Sequence, residues 1–367
     1  MSKRFVPVLL FASLLLGSGG VAVAQYGGGG MSGGGGSTPA PALGTLYAVA
    51  NLASTMAGEG QLDPHLSNAW GLVAGPTTPW WTANNHTNSS TLYSGTGMII
   101  PLVVSVPGSP TGIVYNGDAS SFIVRAGGSS AAAAFLFSTE SGLISGWSQK
   151  VSLMEAVTAV DRSAVGAIYK GLAIAGSTLY ATDFHNGRVD VFDRTFTLVT
   201  TPGAFVDKKI PHRFAPFGIQ NINGTIFVSY AKTDKNKQVD VPGAGAGFVD
   251  MFDTSGKLLG RVASKGALDA PWGLALAPSN FAAASGDLLV GNFGNGKINA
   301  YQHRTNGHWK LRGALRGSNG KAIKLDGLWG LAFGNGGASG PTNTLYFTSG
   351  PGNQSQGVFG SITPPAQ

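Results

Sequence analysis

Residues 269–278 read DAPWGLALAP, and the chain writes the same phrase twice more, as SNAWGLVAG from Ser67 and DGLWGLAFG from Asp326. Each copy sets a tryptophan ahead of a glycine and an apolar run of strand length. Looser versions fill the gaps. A glycine followed by an apolar residue stands at Gly71-Leu72, Gly112-Ile113, Gly171-Leu172, Gly218-Ile219, Gly273-Leu274 and Gly330-Leu331, at intervals of 41, 59, 47, 55 and 57 residues. Self-similarity at such a period marks a repeat architecture.

The third unit shows what repeats. GLAIAG is one apolar strand, STLYATD a second, and NGRVDVFD a third after a turn at Asn186-Gly187, with TFTLVT as a fourth. Short alternating runs divided by Gly, Asn, Asp and Pro read as antiparallel hairpins, and the Asn-Gly pairs at 186, 223, 295 and 306 read as their turns. Six units of four strands predict an all-β fold, a six-bladed β-propeller. The glycine belongs on each innermost strand, where backbones crowd toward the axis. Unit six runs out near Ile362, whereas TLYAVANL, residues 45–52, precedes unit one with no unit of its own. That segment is therefore expected to pair as the outer strand of the last blade and close the ring.

Unit three, GLAIAGSTLYATDFHNGRVDVFD, resembles the NHL repeat. From about Thr45 to Ile362 the chain resembles a family of exported bacterial proteins without an established activity. The segments that carry this include KGLAIAGSTLYATDFHNGRVDVFD, APFGIQNINGTIFVSYAK and LDGLWGLAFGNGG. The resemblance implies the propeller and export. A looser likeness to gluconolactonase-type, calcium-dependent hydrolase propellers implies a metal-assisted hydrolase or lyase as the alternative activity.

Composition narrows the classes. Charged residues are 11% of the 367-residue chain, glycines number 57, and there is no cysteine, so stability rests on a large core without disulfides. Lys3-Arg4, the apolar run Phe5–Leu16 and Ala22-Val23-Ala24 predict a signal peptide over 1–24 and a secreted or periplasmic protein. Residues 25–44, rich in glycine and proline, read as a flexible linker, leaving 45–363 as the propeller domain. No uninterrupted run reaches ~20 apolar residues, which argues against an integral membrane protein. Without residues 1–24 the net charge falls from +7 to +5, and the scattered lysines and arginines form no stripe for nucleic acid.

Function is read from the face where the loops entering each inner strand meet those after each second strand. Ahead of the glycines stand Trp70, Thr111, Lys170, Phe217, Trp272 and Trp329. Two readings stand for the indoles: wedges between blades, or an aromatic mouth that takes a sugar, polyol or other ligand. On the second reading Trp70, Trp272, Trp329, Phe217, Lys170 and Tyr230 are the ligand-binding candidates. After the second strands stand Asn84, Ser138, Asp183, Tyr230, Asn292 and Ser349. Asp183, Asn84 and Asn292 are either turn formers or oxygen ligands for calcium or magnesium. Two positions further, His86, Glu140 and His185 are the candidates for zinc. Ser67-Asn68-Ala69-Trp70 lacks the first-blade glutamate of gluconolactonase-like propellers, and no G-x-S-x-G, cysteine or H-E-x-x-H is present. Both absences lean away from an enzyme. The leading expectation is a monomeric binding module holding a small molecule, glycan or protein at the channel mouth, with loop 231–247 as an arm over that face.

Overall fold

A computed structural model describes residues 43–366. The signal peptide and nearly all of the linker expected before Thr45 lie outside the described residues. Within them, packing starts two residues ahead of the expected boundary: Leu43 is buried in the core beside Leu315 and Ile323.

Six blades form a β-propeller: five are four-stranded antiparallel sheets, and the sixth carries two further two-residue strands, Gln61–Leu62 and Arg316–Gly317, paired parallel to its outer strand. Blade 1 runs Ala69–Val73, Trp80–Asn84, Ser89–Tyr93 and Ile99–Ser105. Blade 3 is Tyr169–Ala175, Thr178–Asp183, Arg188–Phe192 and the short Leu198–Val199. Blade 4 is Phe214–Ile222, Thr225–Lys232, Gly247–Phe252 and Leu258–Ser264. Blade 5 is Pro271–Leu276, Leu288–Asn292, Ile298–His303 and Trp309–Ala314. Blade 2, with Pro110–Tyr115 innermost, carries an inserted hairpin, Ile123–Ala126 with Ser129–Ala132. The insert is tied to blade 3 by Arg194, which donates to the Ser120 carbonyl at 2.7 Å.

Blade 6 closes the ring as the orphan segment requires. Leu328–Phe333, Leu345–Ser349 and Val358–Thr363 are joined by Leu46–Ser54, which pairs antiparallel with Val358–Thr363. The latch strand is sewn in by its side chains as well. Tyr47, buried, donates its hydroxyl to the Phe281 carbonyl of blade 5 at 3.1 Å.

Crowding at the axis explains the glycine column. A methyl at Gly71 would lie 2.7 Å from the Thr111 carbonyl oxygen, and one at Gly171 2.8 Å from that of Phe217. At Gly218 and Gly273 it would fall on the carbonyl oxygens of Trp272 and Trp329. The inner strands thus abut backbone to backbone around the ring, and the apolar residues after the glycines fill the seams. Between blades 2 and 3, for example, Val114, Leu136 and Ile144 pack with Leu172 and Leu179. Of the Asn-Gly turns, Asn223-Gly224 has both residues at positive φ, 52° and 82°, as a tight two-residue hairpin requires.

Candidate functional site

Where the inner strands begin, each skips a residue against its second strand, as at Tyr169↔Asp183 followed by Leu172↔Ala181. The skip leaves inner-strand N–H and C=O groups without a ladder partner. Hydroxyls on the second strands take them up. Ser229 donates to the Pro271 carbonyl at 2.6 Å and accepts the Gly218 amide at 2.9 Å. Thr182 donates to the Phe217 carbonyl at 2.7 Å. The bonds to the Pro271 and Phe217 carbonyls couple one blade to the next, and the sequence reading missed this column.

The same skip aims the residues before the glycines inward, over the axis. There they form a plug. Trp70 stacks on Trp329 with centroids 3.5 Å apart and planes 17° apart, and Phe293 stacks on the other face of Trp329 at 4.1 Å. Trp272 and Phe217 meet Trp329 edge-on at 5.8 and 5.9 Å. The indoles therefore pack on one another across the axis, a geometry that neither a wedge between blades nor an open aromatic mouth describes. Trp70, Trp329 and Phe217 are buried; Trp272 and Phe293 keep some exposure. Below the plug the axial channel narrows to a cavity of about 30 Å³ between Gly71, Gly112 and Leu172, the space of one water.

Charge enters this apolar plug at one point. Lys170, only 2% exposed, holds its ammonium 5.4 Å from the Trp70 ring centroid and 5.8 Å from that of Phe184. Its carboxylate partner is Glu140, which also accepts from Asn85 Nδ2 at 2.9 Å. A buried lysine needs such a partner, since an unpaired charge there costs several kcal/mol. Overhead, loop 231–247 supplies a third charged group. Asp240, bridged to Thr233, lies within the field of Lys170, Glu140 and Asp269. Burial pushes its carboxyl up to about 6, against the pull of Lys170. Its Oδ2 is buried without a hydrogen-bond partner, and so is Trp70 Nε1. The indole of Trp272, by contrast, is satisfied, donating to the Lys170 carbonyl at 2.8 Å across the axis.

The remaining candidates fall elsewhere. Asp183 is buried and caps its own hairpin, accepting from Ile168 N and Asn186 N at 3.2 Å and Asn186 Nδ2 at 2.7 Å; burial raises its pKa. Asn84 is spent on Thr91 Oγ1 at 2.8 Å inside blade 1. Asn292 donates to the Ala267 carbonyl at 2.8 Å in blade 5, with its Oδ1 unpartnered. These three sit in separate blades, and none is bonded to another. His86 is exposed, and His185 is partly buried with Nδ1 unpartnered. Glu140 is not their counterpart. Thr139 pairs with Pro110 as Asp183 does with Tyr169, so Glu140 aligns with Asn85 and Phe184, and Thr139 takes the place expected for Ser138. Among the described residues, no three His, Asp or Glu side chains gather as a metal-holding group. Tyr230 stands apart from the plug's charged end, in a groove between blades 3 and 4.

Arg162 pairs with Asp190 at 3.9 Å, not with neighbouring Asp161, and Asp193 caps its turn through Thr195 while Arg194 reaches the blade 2 insert.

No family model matches the chain. It is 32% identical over 320 residues to Uncharacterized protein L690 of Acanthamoeba polyphaga mimivirus, covering 82% of this chain and 81% of the relative. It is 31% identical over 334 residues to Uncharacterized protein R648 of the same virus, covering 86% and 79%. Among solved structures, a crystal structure of glucose dehydrogenase superposes with a TM-score of 0.53 at 14% identity, covering 87% of this chain and 99% of that one. That likeness shows the propeller fold alone.

Proposed function

The chain belongs to the same family as the mimivirus proteins L690 and R648, and we propose that it is a binding module that takes a small hydroxylated ligand or glycan at the loop-covered mouth of its axis. The observation that carries this reading is the unpaired Asp240 Oδ2 beside the Lys170–Glu140 pair, on the same plug where Trp70 Nε1 also lacks a partner. Buried polar atoms left unmatched in a native fold call for a bond to something else. An acceptor, a lysine–carboxylate pair and an indole N–H suit hydroxyl groups, and the partly exposed rings of Trp272 and Phe293 suit the apolar face of a sugar. The plug caps the end of the axis where these groups lie, so the ligand is held on that face. No nucleophile with an adjacent base accompanies these groups among the described residues, which favours binding over catalysis.

The test is a glycan and metabolite screen on the purified protein, repeated with Asp240→Asn and Lys170→Met. Ligands whose affinity drops tenfold or more in both variants support the reading; ligands indifferent to both overturn it. We further propose that the protein acts as a monomer outside the cytoplasm. Supporting export is the basic, apolar and small-residue order of residues 1–24. Mass determination of the protein recovered from the medium or periplasm checks it, with Gln25 expected at the mature terminus.

A further inference from the structure

Away from the axis, a groove of about 460 Å³ opens between blades 3 and 4. Its volume is that of a small-molecule site. Part of the wall is apolar, with Phe205, Ile210 and Phe214 in it. Phe205 is fixed there by stacking edge-on to Tyr180 at 5.5 Å and by its amide, which donates to the Gly256 carbonyl at 2.7 Å. Tyr230 lines the same groove, only 4% exposed, and its hydroxyl has no hydrogen-bond partner. A buried phenol with nothing to bond is costly, and it offers a donor to an occupant.

The rim gives the occupant its charge. Lys208, His212 and Lys237 line the groove and are exposed, and none of the three has an acidic ion-pair partner among the described residues. The one acid on this rim, Asp207, is spent. One of its oxygens pairs with Arg261, which also holds Asp250, and the other accepts the Lys209 amide at 2.7 Å. Asp207 and Asp250 share one guanidinium and so leave one negative charge, which Lys208 and Lys237 together outweigh. We propose that this groove is a second binding site, for a small organic acid with an apolar body, whose carboxylate accepts from Tyr230 between Lys208 and Lys237. The site is independent of the ligand proposed at the axis.

Titration calorimetry of the mature protein with 1-naphthoate and with 1-naphthamide tests it. The acid is expected to bind at least about tenfold more tightly than the amide. Tyr230→Phe should weaken the acid by about tenfold or more, as loss of a hydrogen bond to a charged group does, while leaving the melting temperature unchanged or raised, because the hydroxyl has no protein partner to lose. Lys208→Ala with Lys237→Ala should weaken it further and flatten its salt dependence, and Asp240→Asn should leave it unchanged. Absence of naphthoate binding, equal binding of acid and amide, or a Tyr230→Phe variant with wild-type affinity overturns the proposal. Loss of binding in Asp240→Asn alone would put the acid at the axis and likewise overturn it.

Discussion

Thr348 donates its hydroxyl to the carbonyl of Trp70 at 2.5 Å, joining the last blade to the first across 278 residues of chain. The same oxygen accepts the Gly330 amide at 2.9 Å. One small side chain therefore satisfies two buried backbone groups that the strand ladder leaves open, one on each side of the ring's seam. Thr348→Val keeps the shape and removes both bonds. It is expected to cost about 2–4 kcal/mol, the penalty of two unmatched buried groups, in urea denaturation. Thr348→Ser should stay within ~1 kcal/mol of the wild type, since the hydroxyl is what matters.

Closure by Leu46–Ser54 is a second seam, and it is separable from the first. Deleting residues 45–52 strips the outer edge of Val358–Thr363 and removes Tyr47 from the blade 5–6 core. The deletion is expected to lower the melting temperature by more than ~10 °C or to abolish cooperative unfolding, as read by differential scanning fluorimetry. The single change Tyr47→Phe removes only the bond to the Phe281 carbonyl and should cost roughly 1 kcal/mol.

Two glycines make a matched pair for the crowding argument. Gly218 has no room for a methyl, which would fall on the Trp272 carbonyl, so Gly218→Ala is expected to cost ~3 kcal/mol or more. Gly176 lies in a hairpin turn at φ +57° with open space around it. Gly176→Ala should cost only the left-handed penalty of about 1–2 kcal/mol. Equal losses in thermal unfolding would mean that backbone conformation, and not space, sets the column.

Acid should favour the loop over the axis. Burial holds Asp240 at about 6, above the ~3.9 of an unfolded aspartate. The native state thus binds this proton more tightly than the unfolded chain. Its ionisation begins to cost native stability above about pH 4, the cost grows up to about pH 6, and it is constant beyond. Asp240→Asn is expected to match the wild-type melting temperature near pH 4 and to exceed it at pH 7.5. A difference independent of pH would assign the effect to the amide's own contacts.

How much of this was legible beforehand follows from which residues are repeated. The glycine column reports a constraint shared by all six blades, so the fold and its closing strand could be read from spacing alone. The hydroxyl column, Ser138, Thr182, Ser229 and Thr348, is repeated too, but serine and threonine are common in strands and the skip that creates their work leaves no mark in the sequence. The site resisted for another reason. Glu140 came one position out of register because an inserted hairpin separates the first two strands of blade 2 and Thr139 stands where blades 1, 3 and 5 have Asn or Asp. Asp240 belongs to a loop found in one blade, where there is no column to read. Asp183, Asn84 and Asn292 looked like a set because turns ask for the same short polar residues six times over.

Because the strand Leu46–Ser54 is made first and its partner Val358–Thr363 last, the order of synthesis and the order of assembly run opposite to one another. Apart from its short pairing with Gln61–Leu62, that strand waits for its partner while five blades and most of a sixth emerge. Until then the growing chain presents an open sheet edge that neighbouring nascent chains can template on. The seam that completes the ring therefore also sets a time window in the protein's synthesis, during which its last edge is open.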